Sequence, residues 1–313
     1  MADLAQMLGA GDADGFLGWP VAETAQGSDI AVIGVDCATP YASVGPYCAG
    51  GPAAIRDGAR TFCDGADRMN FDLDGPVLPT GIRGVDLGDL AVDPADPEGN
   101  RALIQATVAD VRAAGAVPIV LGGDDSIPIP MLAALAPEDP ITVLQVDAHI
   151  DWRDEVDGER WGLSSTMRRA SEMGHVERIV QAGVRGMGSA RSGDYADACA
   201  WGVTFVTGRE IARDGVARAI AAVPKGSRVA IAFDCDALDP SEMPAVIGRT
   251  AGGLRYTQAL DLIEGVAAKA EIVAFDLVEF MPQRDVDGIG GMTAAQLAAA
   301  VAGIIARQRV AGP

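Results

Sequence analysis

Asp147, His149 and Asp151 stand at alternate positions directly after a largely apolar, uncharged run, Ile141–Val146, in the stretch ITVLQVDAHID. Oxygen and imidazole donors in that spacing can hold a divalent cation. Side chains two apart on an extended chain point the same way, so the three converge if the extension persists. Taken alone, the run also reads as a strand followed by a polar, solvated loop. A second run favours the first reading. Arg228–Phe233 (RVAIAF) delivers Asp234, Cys235 and Asp236, followed by Asp239-Pro240. Asp234 and Asp236 share a face by the same period of two, while Cys235 points away as small core filling. Carboxylates on two buried strands repel one another, and each costs several kcal/mol unless a cation compensates it. Together the runs offer four carboxylates and one imidazole, enough for two divalent ions with bridging ligands. Oxygen-rich ligation suits Mn²⁺, with Ni²⁺, Fe²⁺, Co²⁺ and Zn²⁺ left open. Two such ions lower the pKa of a shared water and make hydroxide available at neutral pH.

Two further strand ends carry acids. VPIVL runs into Gly122-Gly123-Asp124-Asp125-Ser126, a turn that by itself is commonplace. Asp276-Leu277-Val278-Glu279 ends another strand; Glu279 at the same sheet edge could hold a cationic substrate group, and without the other runs it would read as an exposed strand-end acid.

The elements that position these residues alternate along the chain. Strands are expected at 30–35, near 84–87, and at 117–121, 141–146, 179–182, 203–206, 228–233 and 271–278. Helices are expected at 53–62, 101–114, 131–135, 165–173, 192–200 and 208–223. Two more run from a Thr257 cap to Lys269 and from a Thr293 cap to Gln308. The turn region 36–51 is long enough to suggest a functional loop, and 64–100 reads as an irregular acidic excursion. Strand–helix alternation implies a parallel sheet covered on both faces, with ligands outside the carboxyl ends of its strands. The expectation is one α/β domain over 29–313 after an N-terminal arm, 1–28, that holds a short helix around 3–8 and docks on a neighbouring subunit.

The 313 residues are 49% hydrophobic, enough for a sizeable core, and carry a formal net charge of −20. No basic footprint for nucleic acid is present, and no Lys follows Gly122-Gly123 as a P-loop requires. Five cysteines without a CxxC pair argue against a disulfide framework and for a reducing cytoplasm. The first residues lack the pattern of a signal peptide, and no apolar run approaches the length of a membrane span.

DAHID, DCDALDP, GGDDS and DLVEF, in this order and spacing, resemble the ureohydrolase family of arginases, agmatinases and guanidinobutyrases. GVDCATP and GGPAAIRDGAR resemble that family's N-terminal signature, and the resemblance runs from about Ile30 to Ile305. It implies a three-layer α/β/α sandwich with a central parallel sheet, assembled as a homo-oligomer, usually a trimer or hexamer. It implies two divalent ions, Mn²⁺ first and Ni²⁺ second. Asp147 and Asp234 would bridge them, Asp151 would complete one, and His149 and Asp236 the other. Asp151 would also hydrogen-bond the hydroxide, Glu279 would bind the guanidinium, and Asp239-Pro240 would be structural. The implied reaction is attack of hydroxide on a guanidino carbon, giving urea and an amine.

The chain departs from the family pattern at three places. GGDH has become GGDD, so Asp125 stands where a histidine would bind metal; an aspartate there is shorter and adds a negative charge. Leu163 matches a histidine associated with proton shuttling, and the other histidine of this chain, His175, reads as a surface residue. The loop 244–253 is more apolar than in relatives and carries Arg249, either a receptor for a substrate carboxylate or a solvated arginine. Tyr47, Trp152 and Trp161 either line the mouth or pack. The leading reading is a metal-dependent amidinohydrolase acting on an agmatine-like amine, a guanidino acid or an alkylguanidine. The alternative is an impaired subunit supporting an active paralogue in a hetero-oligomer.

Overall fold

The computed structural model describes residues 15–60, 68–136, 140–187 and 190–311. The helix expected around 3–8 lies outside these residues. Eight strands form one sheet: β1 (Ile30–Val35), β4 (Gly84–Asp89), β5 (Val117–Gly122), β6 (Ile141–Val146), β7 (Val176–Ala182), β8 (Thr204–Val206), β9 (Arg228–Asp234) and β10 (Glu271–Val278). Their order is β4-β1-β5-β10-β9-β6-β7-β8, and every neighbouring pair is parallel. β2 (Met69–Asn70) and β3 (Gly75–Pro76) make a separate antiparallel ribbon. β1, β5 and β6 are buried along their whole length. A parallel strand covered on both faces reads as a continuous apolar run, which is why these strands were legible.

Successive residues on each strand feed opposite cores. Val32, Ile119, Leu144, Ile231 and Phe275 face helices 51–60, 256–267 and 289–311, while Ile33, Val120, Val143 and Ala230 face helices 97–113, 128–133 and 166–171. The result is the expected three-layer sandwich. Arg56 ties helix 51–60 to β4 through Asp86 at 2.7 Å, and Phe16 N–H donates to the same carboxylate at 2.7 Å. Residues 15–28 therefore lie along this chain's own β4, with Phe16, Leu17 and Trp19 buried.

Four expectations change. The helix foreseen over 208–223 is two, Gly208–Asp214 and Ala217–Ala222, because Gly215 turns the chain at φ 76°. Arg255, not Thr257, occupies the N-cap of the helix Tyr256–Ala267. The last helix, Ile289–Ala311, starts before Thr293, whose hydroxyl donates instead to the Glu242 carbonyl at 3.0 Å. At 23 residues it is long and apolar enough to cross a membrane, contrary to the expectation that no run approached that length. Its most apolar window is 78% buried inside the molecule, so its hydropathy belongs to the core.

Candidate metal centre

The sheet order places β5, β10, β9 and β6 side by side, and these four strands deliver every acid singled out above. Asp125 follows β5, Glu279 follows β10, and Asp234 ends β9. Asp236 lies in the single turn Cys235–Ala237, while Asp147, His149 and Asp151 follow β6. Because the strands are parallel, their carboxyl ends share one edge. Gly123 lets the β5 turn press against the end of β1: a Cβ there would overlap the Asp36 carbonyl oxygen.

The side chains converge by a different local device from the one expected. Extension does not continue past Val146. Instead the Asp147 carboxylate accepts the His149 N–H at 2.6 Å, and the Asp234 carboxylate accepts the Asp236 N–H at 2.6 Å. Each run is an Asx-type turn, in which a carboxylate bonds its own backbone two residues on. Asp151 then sits at φ 42° and Glu279 at φ 65°, left-handed conformations that a non-glycine residue adopts at a cost of roughly 1–3 kcal/mol.

Ligand atoms fall into two groups, each with its atoms within 4.8 Å of one another. Asp147, His149, Asp234 and Asp236 form one; Asp125, Asp147 and Asp151 form the other. Asp147 is common to both, and Asp234 falls with His149. His149 Nδ1 lies 3.0 Å from Asp236 Oδ2 and 3.3 Å from Asp147 Oδ1. Glu279 stands outside both groups. Its Oε1 accepts the Tyr47 hydroxyl and the Asp125 N–H, the latter at 2.9 Å, and its own N–H donates to the Gly123 carbonyl at 2.7 Å.

The electrostatics of the cluster call for positive charge. Burial, then neighbouring carboxylates, push Asp125 and Asp234 well above the usual carboxylate range, and burial followed by Asp147 does the same to Asp151. Burial also raises Glu279 to about 8 despite the Tyr47 hydrogen bond. Burial works against the imidazolium of His149, but bonds to Asp147 and Asp236 outweigh it and lift the group to about 12. The same pairing overcomes burial at Asp147 and holds it at about 2. One imidazolium cannot compensate so many acids. Asp125 Oδ2 is buried with no hydrogen-bond partner among the described residues. Buried carboxylates, an imidazole and an orphaned oxygen in a ligand group are a donor set that divalent cations fit.

Other side chains complete the centre. Gln145 Nε2 donates to Asp147 and Asp151, and Gln181 donates to Gln145. Neither glutamine was anticipated; the signal was one amide in the largely apolar β6, while β7 also carries Glu177 and Arg178. Arg185 clamps the turn after β9 by donating to the Asp236 and Thr250 carbonyls, each at 2.7 Å. The loop 244–253 reaches the ligands at Gly248, where a Cβ would stand 3.2 Å from both Asp236 Oδ2 and His149 Cε1. Arg249, next along, is exposed; its Nε donates to the Pro244 carbonyl at 2.6 Å and its Nη2 to the Arg284 carbonyl at 3.3 Å. Leu163 lies in the single turn Leu163–Ser165, half-buried. His175, half-buried, has Nε2 2.9 Å from the Leu132 carbonyl. Trp152 is buried and packs edge-on against Trp201, whereas Trp161 is partly exposed beneath Arg101.

A model of the arginase family matches residues 28–303. The mitochondrial guanidino acid hydrolase of Homo sapiens is 31% identical over 285 residues, covering 89% of this chain and 78% of that protein. Guanidinopropionase of Pseudomonas aeruginosa is 31% identical over 223 residues, 69% of each chain. Among solved structures, proclavaminate amidino hydrolase from Streptomyces clavuligerus superposes with a TM-score of 0.79 at 28% identity, covering 95% of this chain and 98% of that one.

Proposed function

The chain belongs to the arginase family, and on that premise we propose that it hydrolyses a guanidino acid to urea and an amino acid at the centre described above. The observation that carries the reading is Asp147, a single carboxylate common to two ligand groups, with Glu279 at the end of β10, two strands away on the same sheet edge. Asp147, His149, Asp234 and Asp236 would hold one divalent ion, and Asp125, Asp147 and Asp151 the other. When bound, such a pair compensates the buried carboxylates and makes hydroxide available at neutral pH.

The chain's own residues do the rest. Glu279 binds the guanidinium: Oε1 is committed to Tyr47 and the Asp125 amide, which leaves Oε2 for the substrate. Arg249, one residue from the loop's contact with His149 and Asp236, meets the substrate carboxylate. Leu163 has no proton to give, so water or another side chain protonates the leaving amine. Asp125 supplies oxygen in place of a histidine, so its group is all oxygen and favours Mn²⁺. The relatives acting on guanidino acids support the substrate class.

Urea release from the Mn²⁺- and Ni²⁺-loaded chain, screened over guanidino acids, amine-tailed guanidines and alkylguanidines, tests the proposal. Urea from a guanidino acid is the expected result. No urea from any of them, with two ions bound, contradicts it and favours a supporting subunit.

A further inference from the structure

Gln145 is the one amide in β6, and it is buried at the base of the centre. Its Nε2 lies 2.6 Å from Asp147 Oδ2 and 2.6 Å from Asp151 Oδ2. Behind it, at the paired position on β7, stands Gln181, also fully buried. Gln181 Nε2 donates to Gln145 Oε1 and, at 2.9 Å, to the Ile150 carbonyl.

The Ile150 carbonyl fixes the direction of this relay, because it can only accept. The Gln181 amide must turn its nitrogen toward Ile150, and its second N–H then meets Gln145 Oε1. That leaves the Gln145 nitrogen, with both its hydrogens, facing the two carboxylates. The arrangement is held against a cost: Gln181 Oε1 is buried without a partner among the described residues.

The bonds Gln145 makes fall on two of the three members of the all-carboxylate group, Asp125, Asp147 and Asp151. With Asp125 in place of an imidazole, this group carries an additional negative charge and lacks a neutral ligand. Two N–H donors on one oxygen of each of two carboxylates reduce their mutual repulsion, while the other Asp147 oxygen accepts the His149 N–H. Outer partners of this kind fix ligand orientation, and their loss costs about 10–100-fold in metal affinity.

We infer that Gln145, oriented by Gln181, is a positioning residue that holds Asp147 and Asp151 for the second divalent ion and offsets the charge that Asp125 adds. The inference rests on the dinuclear reading above, but its test is independent of substrate. Mn²⁺ binding isotherms and elemental analysis are compared for the wild-type chain, Gln145→Met and Gln181→Met. Methionine keeps the approximate volume and removes the donors. The expected result is two ions in the wild type. In Gln145→Met the ion held by Asp125, Asp147 and Asp151 is weakened by about 10–100-fold and the other, through the shared Asp147, by less, with a smaller loss of the former ion in Gln181→Met. Two ions bound with wild-type affinities in Gln145→Met overturn the inference while leaving the proposed function standing. Fewer than two ions in the wild type contradict the dinuclear reading itself. Should Gln145→Met fail to fold, Gln181→Met decides: selective weakening of one ion supports the relay, and unchanged affinity for both overturns it.

Discussion

The Tyr47 hydroxyl and the Asp125 backbone N–H both donate to Glu279 Oε1, so a residue of the long loop after β1 sets the plane of a carboxylate delivered by β10. Tyr47 and Glu279 are 232 positions apart in sequence, and both are buried. Oε1 of Glu279 takes both bonds, and among the described residues no hydrogen bond falls on Oε2.

Tyr47→Phe removes one of the two donors while keeping the ring. A hydrogen bond to a charged group contributes about 1.5–3 kcal/mol, so kcat/KM for a guanidino substrate falls by about 10-fold or more. Steady-state kinetics check this. The account expects the loss mainly in KM, since Glu279 binds the guanidinium rather than the reacting water.

Asp125→Ala leaves the second group with two carboxylates. Metal content falls from two ions per chain to one, and urea release falls by at least the roughly 100-fold that losing an outer partner can cost. Elemental analysis beside a urea assay reads both. Unchanged metal content would remove Asp125 from the ligand set.

Arg249→Ala separates substrates by their tails. Losing a charge-assisted contact of about 1.5–3 kcal/mol raises KM about 10-fold or more for guanidino acids. KM for amine-tailed guanidines stays the same or falls. Equal effects on both classes would return Arg249 to the role its bonds to the Pro244 and Arg284 carbonyls already give it, that of a loop clasp.

Chelation tests the charge argument. A ligand that binds only the folded state at about a thousand times its Kd stabilises by about 4 kcal/mol per site. In thermal melts the chain with excess Mn²⁺ therefore unfolds several degrees above the chain in EDTA. The same Tm in both would mean that the buried acids need no cation.

The strands and the principal acids were legible because a buried parallel strand is an apolar run, and the acids that close β6 and β9 break that run abruptly. The reason the ligands converge was not legible. Asp147 and His149 come together through an Asx turn, not through continued extension, and both backbones produce the same D-x-H spacing. Gln145 was hidden for the opposite reason: a single amide among Ile, Val and Leu leaves a strand's pattern intact, and its importance appears only when β7 places Gln181 beside it. For Tyr47 the sequence leaves open whether it lines the mouth or packs, because its bond to Glu279 depends on how β1 and β10 flank β5. The break at Gly215 is a local event that an apolar helical pattern on either side conceals.

The most direct measurement of the central claim is anomalous scattering from crystals grown with Mn²⁺. The account predicts two peaks a few Å apart, both within ligand distance of the Asp147 carboxylate, one beside His149 and the other beside Asp125. A single peak, or none at Asp147, would contradict it.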